Sequence, residues 1–235
     1  MDKLYIIIPA YNEEVNIESV TREWHEVIKN IGCNGSKLVV IDDGSLDSTF
    51  QKLCDLKHSL PYLEPLTKEN SGHGSTVLYG YQYAINSNAD FIFQTDSDGQ
   101  TISSEFYNFW NQRNTYSVII GYRNKRKDGI FRIFVTKVLK FVLYCIFGLK
   151  IRDANTPYRL YKHDILKKYI AKIPKDYNLS NVLLTVLISK ANENIKFLPI
   201  TFKQRQGGIN SINFKKIAKI GIKAIKDFEE IKKHI

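Results

Sequence analysis

Four times within the first hundred residues, a short apolar run breaks into a polar turn and gives way to a segment with helical periodicity. The runs are Leu4 to Pro9, Lys37 to Asp42, Tyr62 to Thr67 and Phe91 to Thr95. Continuous apolar stretches of this length, bounded by turn residues, read as strands buried on both faces. Helical patterns follow from about Glu13 to Ile31, Asp47 to Ser59, Ser75 to Asn86 and Ser103 to Asn114, and a fifth strand is predicted from Tyr116 to Gly121. Asn12 stands where a cap for the first helix would be, with Glu13 and Glu14 suited to the positive end of its dipole. This alternation predicts an α/β fold, a mostly parallel sheet with helices on both faces.

Open sheets of this kind bind ligands beyond the carboxyl ends of their strands. Polar residues gather at those ends: Pro9 to Glu13, Asp42 to Ser45, and Asp96 to Gln100. In the last group a strand runs straight into Asp96-Ser97-Asp98, two carboxylates one residue apart. Mg²⁺ and Mn²⁺ take oxygen ligands and are commonly held by one or two carboxylates plus substrate phosphates. A solvated acidic turn gives the same spacing, so the neighbouring blocks decide the matter. No Gly-x-Gly-x-x-Gly follows the first strand and no Gly-x-x-x-x-Gly-Lys-Ser/Thr occurs, which argues against a dinucleotide dehydrogenase and a P-loop enzyme.

Charge divides along the chain. Residues 1–100 hold 7 Lys and Arg against 15 Asp and Glu, whereas residues 101–235 hold 27 against 9. An acidic half beside a basic half suits an anionic small molecule, an anionic membrane surface or nucleic acid. The 235 residues, 43% of them hydrophobic, are enough for one substantial core; the expected division is one domain over 1–212 and an extension over 213–235. Cys33, Cys54 and Cys145 are scattered and odd in number, so neither a disulfide framework nor a zinc site is indicated. The opening Met1-Asp2-Lys3-Leu4 lacks the features of a signal peptide, and the longest apolar run, Phe141 to Leu149, is short of a membrane span. A cytoplasmic protein is expected.

Beyond Gly121 come a charged loop and an apolar helix from about Ile130 to Phe147, on which Arg132, Thr136 and Lys140 share one stripe. A strand is predicted from Ile195 to Gln204. The final helix, from Phe214, sets Ile217, Ile220, Ala224, Phe228 and Ile231 on one side and Lys216, Lys219, Lys223 and Lys226 on another. Such a basic amphipathic helix either lies in a membrane interface or packs on the domain with a solvated lysine face. His73 in the turn Asn70-Ser71-Gly72-His73-Gly74 reads as a loop polar group, and Trp24 and Trp110 as core residues.

Four blocks stand in order: Ile6-Ile7-Ile8-Pro9-Ala10-Tyr11-Asn12-Glu13-Glu14, Val40-Ile41-Asp42-Asp43-Gly44-Ser45, Gln94-Thr95-Asp96-Ser97-Asp98-Gly99-Gln100, and Asp153-Ala154-Asn155-Thr156-Pro157-Tyr158-Arg159-Leu160. Together they closely resemble glycosyltransferase family 2, from Leu4 to about Asn213. The resemblance implies the Rossmann-like GT-A fold and a nucleoside-diphosphate sugar as donor. It places Pro9, Tyr11, Asn12, Glu13, Asp42, Asp43, Ser97 and Gln100 in the nucleotide-sugar site. It puts Mg²⁺ or Mn²⁺ on Asp96 and Asp98, with Gln100 in the same cluster. A divalent cation there would stabilise the charge that develops on the departing nucleotide.

Within the family, Gly121-Tyr122-Arg123, Arg132 and Gln204-Arg205-Gln206-Gly207-Gly208 are similar to the dolichyl- and polyprenyl-phosphate sugar transferases. That likeness implies phosphate contacts for Arg123, Arg132 and Arg205, whose guanidinium forks suit phosphate oxygens. It also implies a lipid-phosphate acceptor and a peripheral position at the inner face of the cell membrane. A lipid phosphate is already a nucleophile, whereas a sugar hydroxyl needs a general base; by resemblance Asp153 is the candidate base or acceptor-positioning acid. Asp176-Tyr177-Asn178-Leu179-Ser180-Asn181 stands where hydroxyl-acceptor relatives usually place an acidic pair, and that departure favours a phosphate acceptor. The alternatives are a family 2 enzyme acting on a hydroxyl of a lipid-linked or cell-surface glycan and, more remotely, a sugar nucleotidyltransferase. The acidic turn after the first strand disfavours the latter, and no nucleic-acid-binding motif is present.

Overall fold

Along β1 (Leu4–Ala10) successive side chains enter different cores, as the two-residue period of a strand requires. Leu4, Ile6 and Ile8 pack with Ile17, Val20, Trp24 and Ile28 of α1 (Ile17–Ile31), Leu53 and Leu56 of α2 (Thr49–Lys57), and Phe106 and Phe109 of α4 (Phe106–Trp110). Tyr5 and Ile7 face the other way, onto Val77, Tyr81 and Ala84 of α3 (His73–Asn86), Leu166 of α6 (His163–Ile170) and Leu183 and Leu187 of α7 (Ser180–Lys190). The computed structural model describes residues 2–31, 34–123, 130–204 and 227–228, with 130–134 described in backbone only. Arg205 and the helix predicted from Phe214 lie outside the described residues, apart from a helical Asp227 and Phe228.

The sheet adds β2 (Lys37–Asp42), β3 (Leu63–Thr67), β4 (Phe91–Gln94), β5 (Val118–Arg123), β6 (Arg159–Lys162) and β7 (Ile195–Ile200) in the spatial order β3-β2-β1-β4-β6-β5-β7. Every neighbouring pair is parallel except the two made by β6, which runs antiparallel to β4 and β5. The mostly parallel sheet with helices on both faces is therefore the fold found. Pro65 and Pro199 both fall on edge strands, where a missing N–H costs no ladder bond to a further neighbour. Pro9 lies on a central strand but past the last β1–β4 pair, Ile7 with Gln94. It cannot extend that ladder, and there the two strands part. The chain leaves β1 toward β2 on one side and returns at β4 on the other, so this gap is the topological switch point where open sheets bind ligands.

Several expectations need correction. Asn12 caps no helix: its backbone is left-handed at φ 53°, and its Oδ1 accepts the Leu46 N–H at 2.8 Å, tying it to the turn after β2. The first helix accordingly begins at Ile17, not Glu13. The helix predicted over Ser103–Asn114 is a 3₁₀ turn at Ser103–Glu105 followed by the five-residue α4. The strand predicted to end at Gln204 ends at Ile200, after which the Thr201 N–H donates to the Glu105 carboxylate. Three elements were not predicted. Strand β6 is only Arg-Leu-Tyr-Lys, α6 is a single eight-residue stretch whose buried Leu166, Tyr169 and Ile170 span barely one turn, and α7 is buried on nearly every side, so its apolar residues show no stripe.

Candidate active site

The rim above β1, β2 and β4 is built by turns that hydrogen-bond to one another through side chains. After β1, the Asn12 N–H donates to Ser45 Oγ at 2.9 Å and the Glu13 N–H to Thr49 Oγ1 at 2.9 Å. Buried Glu13 receives the Asn16 side-chain amide at 2.9 Å, and Tyr11 stands 42% exposed beside it. Asp42, at the end of β2, accepts from Thr67 Oγ1 at 2.9 Å and from the Ser45 N–H at 3.3 Å. Asp43 is buried and braces the next turn, accepting from Lys68 Nζ, from the Ser71 N–H at 3.0 Å and from the Gly72 N–H at 2.9 Å. Burial pushes the Asp43 carboxyl up, but the hydrogen bonds of Lys68, Ser71 and Thr76 outweigh it and hold the group below the ordinary carboxylate range.

That brace sets the position of His73, the first residue of α3. Gly72 takes φ 89°, and a Cβ on Gly74 would stand 2.4 Å from the carbonyl oxygens of both Tyr177 and Asn178. Only glycine admits the 177–178 segment so close to the turn. His73 Nε2 then lies 3.0 Å from Asp96 Oδ1, with the imidazole half exposed and Asp96 a quarter exposed. Desolvation pulls the His73 pKa down, yet the carboxylates of Asp96, Asp98 and Asp43 prevail and raise it. His73 was read from the sequence as an ordinary loop residue. Its place between two glycines, in the turn that follows β3, was the signal available for the rim.

Asp98, partly exposed, accepts the Gln100 N–H at 3.1 Å. The Gln100 side chain is turned away: its Nε2 donates to the Lys203 carbonyl at 2.8 Å, while the Lys203 N–H returns a bond to the Gln100 carbonyl at 2.7 Å. This clip brings the segment that leads to Arg205 against the Asp-x-Asp loop. Ser97 is buried between the two acids. Among the described residues no three His, Cys, Asp or Glu side chains gather closely enough to cage a metal. Two partly exposed carboxylates nevertheless offer the hard oxygen donors that suit Mg²⁺ or Mn²⁺ when phosphate oxygens and water fill the remaining positions.

Across the crevice, two residues given separate duties by resemblance are found joined. Arg123 donates from Nε to Asp153 Oδ2 at 2.8 Å and from NH2 to Oδ1 at 3.0 Å, a forked pair with both side chains about nine-tenths buried or more. The Arg123 guanidinium also stacks over Phe202, 5.3 Å from its ring centre. Both Asp153 oxygens thus accept from this one guanidinium. The loop bearing Asp153 is anchored by Arg159, fully buried, which donates to the carbonyls of Ala154, Thr156 and Asn181 and to Thr185 Oγ1 at 2.7 Å. Thus the structure brings Tyr11, Asn12, Glu13, Asp42, Asp43, Asp96, Ser97, Asp98 and Gln100 to one rim and sets Arg123 with Asp153 beside β5. The Arg132 side chain and Arg205 lie outside the described residues.

Known proteins are similar to this chain in sequence and fold. Over 174 residues the chain is 22% identical to the undecaprenyl-phosphate 4-deoxy-4-formamido-L-arabinose transferase of Pseudomonas paraeruginosa, covering 73% of this chain and 50% of that protein. The Salmonella paratyphi B protein of the same name aligns at 20% identity over 92% of this chain and 64% of its own length. This chain therefore spans about half to two thirds of those relatives. An uncharacterized protein of Methanocaldococcus jannaschii is 26% identical over 85% of this chain and 81% of its own length. Among solved structures, glucosyl-3-phosphoglycerate synthase from Mycobacterium tuberculosis, in complex with Mn²⁺, UDP-glucose and phosphoglyceric acid, superposes with a TM-score of 0.72 at 15% identity, covering 100% of this chain and 80% of that one. At that identity the likeness establishes the shared fold. The sequence profile of glycosyl transferase family 2 matches residues 5–170, from β1 through α6 and across the whole rim, and the chain belongs to that family.

Proposed function

We propose that this protein is an inverting, metal-dependent transferase that moves a sugar from a nucleoside diphosphate to a polyprenyl-type phosphate at the inner face of the cell membrane. The observation that carries the acceptor is the Arg123–Asp153 pair: the residue nearest to a general base is held by a guanidinium fork. A hydroxyl acceptor would need a free base at about 3 Å, whereas a lipid phosphate brings its own anionic oxygen. In the reaction, that oxygen bonds to the anomeric carbon as the carbon–oxygen bond to the diphosphate breaks, and the electron pair leaves on the nucleoside diphosphate. A single in-line displacement inverts the anomeric centre and releases no proton.

The chain's own residues bind and orient. Tyr11, exposed at the rim, is placed to stack on the base, and Asp42 and Glu13 to bind nucleoside hydroxyls. Asp96 and Asp98 would hold the divalent cation, which supplies electrostatic stabilisation of the leaving diphosphate. Gln100 fixes their loop through its clip to Lys203. Arg205, just beyond that clip in sequence, and Arg132 are proposed as phosphate contacts. Arg123 would serve the acceptor phosphate by exchanging partners with Asp153. The undecaprenyl-phosphate names of the relatives support the acceptor class, and the UDP-glucose and Mn²⁺ of the structural neighbour support the donor and cation.

Membrane contact has its own support in α5 (Ile130–Phe147). Leu143 and Phe147 bury against Val182 and Val186, while Val138, Phe141 and Tyr144 stand 43%, 68% and 52% exposed. Lys137, Lys140 and Lys150 are exposed alongside, and no Asp or Glu occurs between Gly129 and Arg152. An aromatic, acid-free, lysine-flanked helix suits the surface of an anionic bilayer. Among the described residues no helix is long and apolar enough to cross one.

The test is a screen of sugar nucleotides with Mn²⁺, reading transfer to undecaprenyl phosphate in detergent. Transfer to the lipid phosphate is expected with one donor. Transfer confined to a phosphorylated small molecule such as the phosphoglyceric acid of the structural neighbour would replace the acceptor class, and absence of any Mn²⁺-dependent turnover would overturn the reading.

A further inference from the structure

The rim contains one ligand type that paired acids alone do not supply. His73 Nε2 and Asp96 Oδ1 are 3.0 Å apart, both on partly exposed side chains. Two ligands bound to one first-row cation at about 2.1–2.2 Å and at right angles stand about 3 Å from each other. The observed separation is that of a hydrogen bond and would equally suit neighbouring ligands on one ion, reached by turning the two side chains toward it without moving the backbone. We propose that His73 and Asp96 hold the catalytic cation together, as adjacent nitrogen and oxygen ligands, so that the site selects Mn²⁺ or a similar transition metal over Mg²⁺. This rests on the sugar-nucleotide reading above and specifies the cation of that same site.

The turn is built to keep the imidazole there. Asp43 receives the N–H groups of Ser71 and Gly72 on one side of His73, and Gly74 is pressed against the Tyr177 and Asn178 carbonyls on the other. A solvated loop histidine needs neither restraint. Imidazole favours transition metals, whereas Mg²⁺ prefers an all-oxygen shell and sheds water reluctantly. Diphosphate oxygens, Asp98 and water are then left to complete the shell.

The test reads the cation directly. Full-length protein loaded with Mn²⁺ and inorganic pyrophosphate is examined by pulsed electron paramagnetic resonance for nitrogen modulation of the manganese spin echo. Wild type is expected to show imidazole modulation that is lost in His73→Ala and His73→Gln and kept in His163→Ala, whose imidazole bonds the Ala89 carbonyl away from the rim. Calorimetric Mn²⁺ affinity should fall about tenfold or more in both His73 variants, as expected for lost ligation, while Mg²⁺ affinity changes much less. The glutamine variant retains a polar side chain toward Asp96, which separates ligation from support of the turn. Wild-type Mn²⁺ without nitrogen modulation, or modulation that survives His73→Gln, would overturn the proposal even with sugar transfer intact. Modulation from His73 without turnover of any sugar nucleotide would uphold the ligand and sink the functional reading.

Discussion

The two sides of the sheet hold charge at the ligand rim in opposite ways. On the parallel side, β3-β2-β1-β4, Asp42 is satisfied by a hydroxyl and a turn N–H and Asp43 by Lys68 and two turn N–H groups, while Asp96 and Asp98 stay partly open. On the mixed side, β6-β5-β7, Asp153 is buried and matched by a guanidinium. The first side keeps negative charge in reserve for a cation. The second cancels its charge internally, so that the anion of the proposed reaction would have to compete with Asp153 for Arg123.

Four experiments break or sharpen that contrast. The largest effect is expected on the parallel side: Asp96→Asn or Asp98→Asn should lower the transfer rate by about 10²–10³-fold, the scale of a lost electrostatic stabiliser, with unchanged circular dichroism. Wild-type rates in both variants would remove the cation from the rim. On the mixed side, Arg123→Met removes the guanidinium fork from buried Asp153 and should lower stability in urea unfolding by about 1–3 kcal/mol. Adding Asp153→Asn should recover part of that loss, because the penalty comes from a buried carboxylate that has lost its fork; if it recovers none, the pair is not coupled as described.

Between the two regions, Gly74→Ala would force a methyl against two carbonyl oxygens and should destabilise by about 1–3 kcal/mol while weakening cation binding through His73. Unaltered stability would mean that the 177–178 segment does not press on the turn. The smallest effect concerns pH. Because the Asp43 carboxyl is held below its ordinary 3.8, its contribution is fully present above that value and fades as pH falls through the lower folded value. Asp43→Asn should therefore flatten the acid limb of the stability curve below about pH 4 and leave the slope at neutral pH alone. A parallel shift at every pH would assign Asp43 a purely steric part.

Legibility followed local period. The strands β1, β2 and β4 announced themselves because each is apolar throughout and ends in a turn, and the carboxylates of the rim could be placed at once because they follow those strands directly. The same logic failed for Arg-Leu-Tyr-Lys in β6, whose charged ends hide a central position made possible only when Arg159 finds three carbonyls from other segments. It failed also for Asp153, whose partner is thirty residues away in sequence on another strand. The contact of His73 with Asp96 was hidden for the same reason, since Asp96 lies twenty-three positions on.

By itself the sequence determined that this chain makes a mostly parallel α/β sheet with an acidic ligand rim, because hydrophobic period and turn chemistry act within a few residues. The tertiary structure alone decided which charges meet. It pairs Arg123 with Asp153, turns the Gln100 side chain toward Lys203 and sets His73 against Asp96. Electrostatic and hydrogen-bond partners are chosen by distance in space, which the order of residues along a chain does not record until the sheet has brought distant turns together.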